Sequence, residues 1–227
     1  MLLMSTYATN VAPVNMLRQT SSMSTLSDAL PETRTDRYHH GDLRAALLDA
    51  AVHVLAEQGV SGLSLRECAR RAGVSHAAPY RHFPSKEALL AAIASQGFAW
   101  LYEVGVAAMA PIADPVARLD AYGLSYVQFA LAHPQHFRLM FTSECTLVAP
   151  TAQEQSADRA YVLLRDAAAA VSAPGVDPDV AAVAYWSRPH GLAMLLLDAR
   201  IPAVRMASPE ALEELIRATV HGDRWTP

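Results

Sequence analysis

The feature that most constrains this chain is the run at residues 64–86, SLRECARRAGVSHAAPYRHFPSK. Ser64 followed three residues later by Glu67 has the form of a capping box, so a helix starts there. Leu65, Cys68, Ala69 and Ala72 recur at helical spacing and make a core-facing side. Gly73 stops the helix, because glycine takes the left-handed C-terminal conformation without a β-carbon penalty. Val74 is a short apolar plug, and Ser75 is expected to cap a second helix over residues 76–82. Two short helices joined by a glycine-containing turn form a helix-turn-helix, whose second helix enters the major groove of double-stranded DNA. Ala77 and Ala78 are small enough for close approach to base edges, beside Ser75 and His76. Tyr80, Arg81 and His82 carry donors for phosphates. Pro79 lacks an N–H, a small loss if it lies near the helix start. Pro84 breaks the pattern, and Ser85 is placed to cap a third helix beginning at Lys86 and Glu87.

Ser64, Cys68-Ala69, Ala72-Gly73-Val74-Ser75, Tyr80-Arg81-His82-Phe83 and Lys86 together resemble the DNA-binding domain of the TetR family of bacterial transcriptional regulators. Cys68 stands where isoleucine is usual, and Pro79 where leucine or isoleucine is usual. The resemblance implies that Lys86 contacts a phosphate. The DNA-contacting set is then Arg37, His39, Ser64, Ser75, His76, Ala77, Ala78, Tyr80, Arg81, His82 and Lys86. Further on, Trp186 and His190-Gly191 resemble the Trp-His-Gly subclass of the same family, as does the lead-in Tyr38-His39-His40-Gly41-Asp42-Leu43-Arg44. Pro189 departs from the usual apolar residue and is expected to kink or break its helix.

The formal net charge of −4 is unevenly spread. Residues 34–87 hold eight basic and six acidic residues, a balance of +2, which leaves −6 for the remainder. A mildly basic head on an acidic body suits a DNA-binding regulator. Two cysteines, Cys68 and Cys145, imply no disulfide framework, and a reducing bacterial cytoplasm fits. No uninterrupted apolar run reaches the roughly 18 residues of a spanning helix, so no membrane association is expected.

Along the chain, residues 1–36 lack periodicity and read as a disordered extension. Arg34 and Arg37 close that extension, as a basic arm for the minor groove or a solvated tail. Asp42 is a natural N-cap for a helix whose stripe is Leu43, Leu47, Ala50 and Val54 and which Gly59 ends. His39 and His40 sit on the loop before it, facing phosphate or exposed. After Lys86 a long helical pattern runs to about residue 109. Helices follow at 115–132, 134–142, 152–171, 178–199 and 209–220, with a looser stretch at 143–151 that contains Cys145. Strand signals are absent. The expected fold is all-α: a three-helix DNA-binding head at 37–86 and a helical effector-binding and dimerisation body at 87–222.

Enzyme chemistry finds little support. There is no nucleophile elbow, no phosphate-cradling glycine loop and no dinucleotide fingerprint. His133 and His136 flank the start of a helix at Pro134 without the further ligands a zinc site requires, so no metal or cofactor is expected. The body is instead rich in aromatic residues. Trp100, Tyr122, Tyr126, Phe129, Phe137, Phe141, Trp186 and His190 are candidates to line an apolar pocket, and the resemblance implies that the body takes up a small-molecule effector. It also implies a homodimer joined through the last two long helices, where Val183, Gly191 and Met194, then Leu212, Leu215, Ile216 and Thr219, form stripes. The expected protein is a ligand-responsive repressor that binds inverted-repeat operator DNA. An activator of the same fold, or an enzyme or small-molecule carrier that kept a helix-turn-helix, is the alternative.

Overall fold

In the computed structural model, residues 43–142, 151–202 and 208–221 are described, and all their regular structure is helical. The helices are α1 (Leu43–Gly62), α2 (Leu65–Arg71), a 3-10 turn (Ala78–Arg81), α3 (Lys86–Met109), α4 (Pro115–Ala132), α5 (Pro134–Met140), α6 (Thr151–Ala169), α7 (Pro178–Leu197) and α8 (Pro209–His221). The extension, Arg37, His39, Asp42 and Cys145 lie outside the described residues.

Local chemistry sets the boundaries. Side chains of Ser64, Ser85, Asp114, Asp177 and Ser208 each accept a backbone N–H of the following helix, satisfying donors that the helix leaves free. Proline occupies the first position of α4, α5, α7 and α8, where its missing N–H costs nothing. Gly59 adopts φ 67° and divides α1 from the short turn that carries it on to Gly62. Gly73 adopts φ 68°, with its N–H on Arg70 O and that of Val74 on Ala69 O, the paired bonds of a Schellman stop.

The expected second helix of the helix-turn-helix is not an α-helix. An α-helix capped by Ser75 would open with a bond from residue 79 to Ser75 O, and Pro79 has no N–H to give. Ala78 N donates to Ser75 O instead, at 3.0 Å, and one turn of 3-10 helix follows with no side-chain cap. Pro79 is fully buried and Phe83 nearly so, so the turn is pinned from below. Pro189, by contrast, neither breaks nor ends α7, which stays helical from Pro178 to Leu197.

Three apolar clusters hold the chain. The head core joins α1, α2, Phe83 and the first half of α3, and also takes Leu139 from α5. The body core joins the second half of α3 with α4, α5, α6 and α7. A smaller cluster seats Ile216 of α8 against Val127 of α4 and Leu192 and Leu196 of α7. Helix α3 runs through both larger cores. It is long and apolar enough to cross a membrane by length and composition alone, although Ser95, Gln96 and Glu103 interrupt its apolar run, and its buried positions pack into those cores. At Gly97 a β-carbon would come within 2.6 Å of Met140 Sδ, so glycine is what lets α3 and α5 close up.

Candidate nucleic-acid interface and effector site

The outer edge of the head is built on the pinned 3-10 turn. With Pro79 and Phe83 directed inward, Ser75, His76, Ala77, Tyr80, Arg81 and His82 are exposed, Tyr80 by 52%. Arg44 reaches the same region, its guanidinium 5.3 Å from the Phe83 ring. Among the described residues no carboxylate pairs with Arg44, Arg66 or Arg81. The two arginines ending α2 are held differently. Glu67 takes Arg70 through both oxygens, at 2.7 and 2.8 Å, and Arg71 at 2.9 Å, and Arg71 also reaches Glu57 at 2.6 Å. Both arginines hold the Glu67 carboxyl down to about 2. The Glu67 carboxylate thus clamps arginines, while Ser64 Oγ accepts from Glu67 N at 3.1 Å to cap α2.

One expectation for this edge changes, and one residue has an added tie. Ser75 caps no helix with its side chain. Lys86 is half-buried, and its Nζ donates to Val60 O at 2.5 Å. That bond ties the start of α3 to the turn after Gly59, and leaves the ammonium two further protons.

In the body, five of the eight expected aromatic-site residues form one cluster. Trp186 Nε1 donates to Tyr126 Oη at 2.9 Å, and Tyr126 Oη lies 2.8 Å from His190 Nδ1. Phe137 stands edge-on to Tyr126 at 5.5 Å and to Phe141 at 5.1 Å. Phe141 in turn meets His190 at 4.7 Å and Trp186 at 5.7 Å. Phe98 of α3, not anticipated from sequence, closes on Phe141 at 5.6 Å. The other expected residues sit elsewhere. Trp100 packs on His133 and His136, and Phe129 on His133. Tyr122 is buried beneath both groups, 6.4 Å from Tyr126. His136 is buried, at 6% exposure. It lies 3.2 Å from Gln96 Oε1, which can only accept, so His136 Nε2 carries the proton. Desolvation lowers it to about 4 and also lowers His133 and His190. The signal for this second group was the histidine pair around Pro134, which reads from sequence as a polar helix start.

Within the cluster Tyr126 and Phe137 are 1% and 0% exposed, whereas Phe141, Trp186 and His190 are half-buried. An open groove of about 430 Å³ lies between the end of α3, α4 and α8, lined by Ala108, Ile112, Leu124, Gln128 and Arg217 among others. None of the expected aromatic residues lines it.

The expected dimer stripes divide. On α7, Val180, Val183 and Leu195 are exposed by 64%, 53% and 46%, and Ala184 and Ser187 are exposed with them. A β-carbon at Gly191 would meet nothing within 4 Å. Met194 leans into the body core. On α8, Leu212 packs beneath with Ile216, which is 2% exposed and belongs to the subunit's own core. Ile216 therefore leaves the set of candidate interface residues, while Leu215 and Thr219 stay half-buried. The cause is register: positions 212, 216 and 220 face inward, and 211, 215 and 219 lie on the flank.

The sequence family described as "Bacterial regulatory proteins, tetR family" matches residues 47–93, and the "Tetracyclin repressor-like, C-terminal domain" matches residues 119–221. The chain is similar to the HTH-type transcriptional regulator BetI of Rhizobium meliloti (strain 1021), 42% identical over 78 residues, which is 34% of this chain and 38% of that protein. It is also similar to the HTH-type transcriptional regulator CymR of Pseudomonas putida, 38% identical over 73 residues, 32% of this chain and 34% of that protein. The matches thus span little more than a third of these curated relatives. Among solved structures, a protein with unknown function from Rhodococcus sp. RHA1 is 34% identical, with a TM-score of 0.68, over 82% of this chain and 95% of its own. AibR, solved in complex with isovaleryl coenzyme A and operator DNA, shares the fold at 20% identity and a TM-score of 0.60, over 78% of this chain and 97% of its own.

Proposed function

This chain belongs to the TetR family of transcriptional regulators, and from that premise we propose that it is a repressor released from DNA by a small molecule. Two copies bind an inverted-repeat operator, each head setting its 3-10 turn in a major groove. The observation that carries this reading is the exposed edge of Ser75, His76, Ala77, Tyr80, Arg81 and His82, raised on a buried Pro79 and Phe83. Small residues beside donors, without neighbouring carboxylate partners, suit base edges flanked by phosphates. Ala77 and Ala78 come nearest the bases, and Lys86 uses its remaining protons on the backbone. A single head makes too few contacts to hold a site, so a second copy is required. The exposed apolar positions Val180, Val183 and Leu195 on α7, with open space over Gly191, support a partner helix there. Leu215 and Thr219 of α8 extend that face.

The effector site is assigned to the aromatic cluster around Tyr126, Phe141 and Trp186, and its apolar walls select an apolar or aromatic molecule. Trp186, His190 and Gly191 fall together on α7, which supports the Trp-His-Gly subclass. Ligand acts only insofar as it binds a non-operator arrangement more tightly than the operator-bound one. Leu139 of α5 in the head core and Phe137 of the same helix in the body cluster give the two sites a shared rigid element. In this reading the protein is cytoplasmic, needs no metal or cofactor, and has no catalytic role.

The experiment is a fluorescence-anisotropy titration of duplex DNA from upstream of the gene, at several salt concentrations. Wild type is expected to prefer that DNA over an unrelated duplex, with a steep salt dependence. Arg81→Ala should weaken binding to every sequence, whereas Ala77→Ser should alter preference. Equal affinity for all duplexes would favour the enzyme or carrier alternative.

A further inference from the structure

The chemistry that the aromatic cluster recognises follows from three side chains on two helices. Trp186 Nε1 is a donor only, and it gives its proton to Tyr126 Oη at 2.9 Å. Tyr126 Oη has one proton of its own and lies 2.8 Å from His190 Nδ1. Among the described residues His190 Nδ1 is the one acceptor that the buried phenol O–H reaches, so the phenol proton goes to it. Burial raises the Tyr126 hydroxyl far above an ordinary phenol and lowers His190, so both are neutral. A neutral imidazole that accepts at Nδ1 carries its proton on Nε2. The relay therefore runs in one direction and fixes one tautomer.

His190 Nε2–H has no partner among the described residues. No buried side-chain nitrogen or oxygen among them lacks a partner either. The Nε2–H must then reach open space. His190 is half-buried, as are Phe141 and Trp186, whose rings pack against it. No Asp, Glu, Lys or Arg bonds to Tyr126, Trp186 or His190 among the described residues. The cation on α5, Arg138, is committed to Asp198 Oδ1 at 2.6 Å and Leu197 O at 3.0 Å. One neutral donor at the edge of an apolar wall, with no cation bonded to it among the described residues, suits an uncharged acceptor. An anion placed there would be desolvated without a counter-charge.

We propose that the effector is an uncharged apolar molecule bearing a carbonyl-type acceptor, which His190 Nε2–H recognises at the Phe141–Trp186 edge of the cluster. This rests on the reading of the body as the effector site. Tyr126 and Trp186 are positioning residues: they touch His190 and one another, and they hold its proton on the outward nitrogen.

The test uses the full chain, isotope-labelled for side-chain nitrogen NMR, with acetophenone and isopropenylbenzene as probes. The two have the same shape and differ by C=O against C=CH₂. The expected results are a single Nε2–H tautomer for His190, displacement of its signal by acetophenone, and about tenfold tighter binding of the ketone than of the alkene. His190→Phe, which keeps an aromatic ring, should bind both probes equally. Tyr126→Phe should release His190 to a tautomer mixture and reduce the preference. A proton on Nδ1 in wild type, equal binding of the two probes, no movement of His190 by the ketone, or a preference surviving in His190→Phe would overturn the proposal. If His190→Phe fails to fold by circular dichroism, the wild-type tautomer and affinity ratio decide alone. Operator binding by wild type is measured in parallel. Its absence overturns the repressor reading, whereas equal probe binding by a protein that does hold operator overturns only the ligand class.

Discussion

Lys86 is the only lysine in the chain, and its ammonium bonds Val60 O at the end of α1. A charged donor on a backbone carbonyl contributes about 1.5–3 kcal/mol where it is shielded, and Lys86 is half-buried. Lys86→Met should therefore lower the urea midpoint of the DNA-free protein by the equivalent of about 1–2 kcal/mol. An unchanged midpoint would mean that the bond contributes nothing in solution. The residue itself was legible in the sequence as a helix-start cation. Its tie to Val60 was not, because it depends on the turn that Gly59 forces 27 positions earlier. Two other residues make stability fall with acid, in separate windows. His136 is buried neutral, its folded value lowered to about 4 from 6.5. The unfolded chain binds that proton first, so stability present above pH 6.5 is lost as pH falls towards 4. Glu67 is held at about 2 from 4.5 by Arg70 and Arg71, so its contribution, reduced by solvent screening, is lost as pH falls from 4.5 towards 2. Unfolding midpoints of wild type and Glu67→Gln should differ at pH 7 and converge near pH 2. The wild-type loss between pH 6.5 and 4.5 should persist in the variant, and a variant that tracks wild type throughout would remove Glu67 from the account.

Element ends are where the sequence reads most directly, since a cap, a first-turn proline or a stopping glycine is a local device. Asp114-Pro115, Asp177-Pro178 and Ser208-Pro209 mark the starts of α4, α7 and α8. The 3-10 turn does not show in the sequence pattern because Pro79 acts on its neighbours rather than on itself, denying Ser75 O its α-helical partner. The end of α7 carries a different device. Ala199 adopts φ 52°, and the N–H groups of Ala199 and Arg200 bond Leu196 O and Leu195 O, a Schellman stop made with alanine. A β-carbon in the left-handed region costs roughly 1 kcal/mol. Ala199→Gly should accordingly raise stability by about 0.5–1 kcal/mol, read as a higher urea midpoint with unchanged slope. A fall would mean that the extra freedom of glycine in the unfolded chain outweighs the relieved strain. The two faces of the last helices separate in the same way. Val183 is 53% exposed on α7 and Ile216 is 2% exposed on α8. Val183→Arg should give folded, helical monomers, because an exposed charge harms only a partner's approach. Ile216→Arg should unfold the subunit, because the charge is buried without a partner. Sedimentation with circular dichroism separates the outcomes, and a folded dimer of Val183→Arg would move the interface off this face of α7. Periodicity found both stripes in the sequence, yet a stripe does not say whether its own core or a second chain covers it.

At the scale of the whole molecule, α3 and α5 join the two ends. Helix α3 contributes Leu89, Leu90 and Ile93 to the head core and Leu101 and Met109 to the body core. Helix α5 contributes Leu139 to the first and Phe137 and Met140 to the second. The helices that pack the aromatic cluster thus also pack the head. The aromatic composition of the body was legible in the sequence, whereas the closure of its cluster was not, since closure depends on how the rings meet across α3, α4, α5 and α7. In the proposed function, two such heads, spaced by a dimer, read an inverted repeat. Selection from a random pool of double-stranded DNA, followed by sedimentation of the protein bound to the enriched duplex, is the test. The expected product is an enriched inverted repeat whose half-site centres lie about 34 Å apart or a multiple of that spacing, bound by an even number of chains. Enrichment of a single half-site held by one chain, or no enrichment over the starting pool, would contradict it.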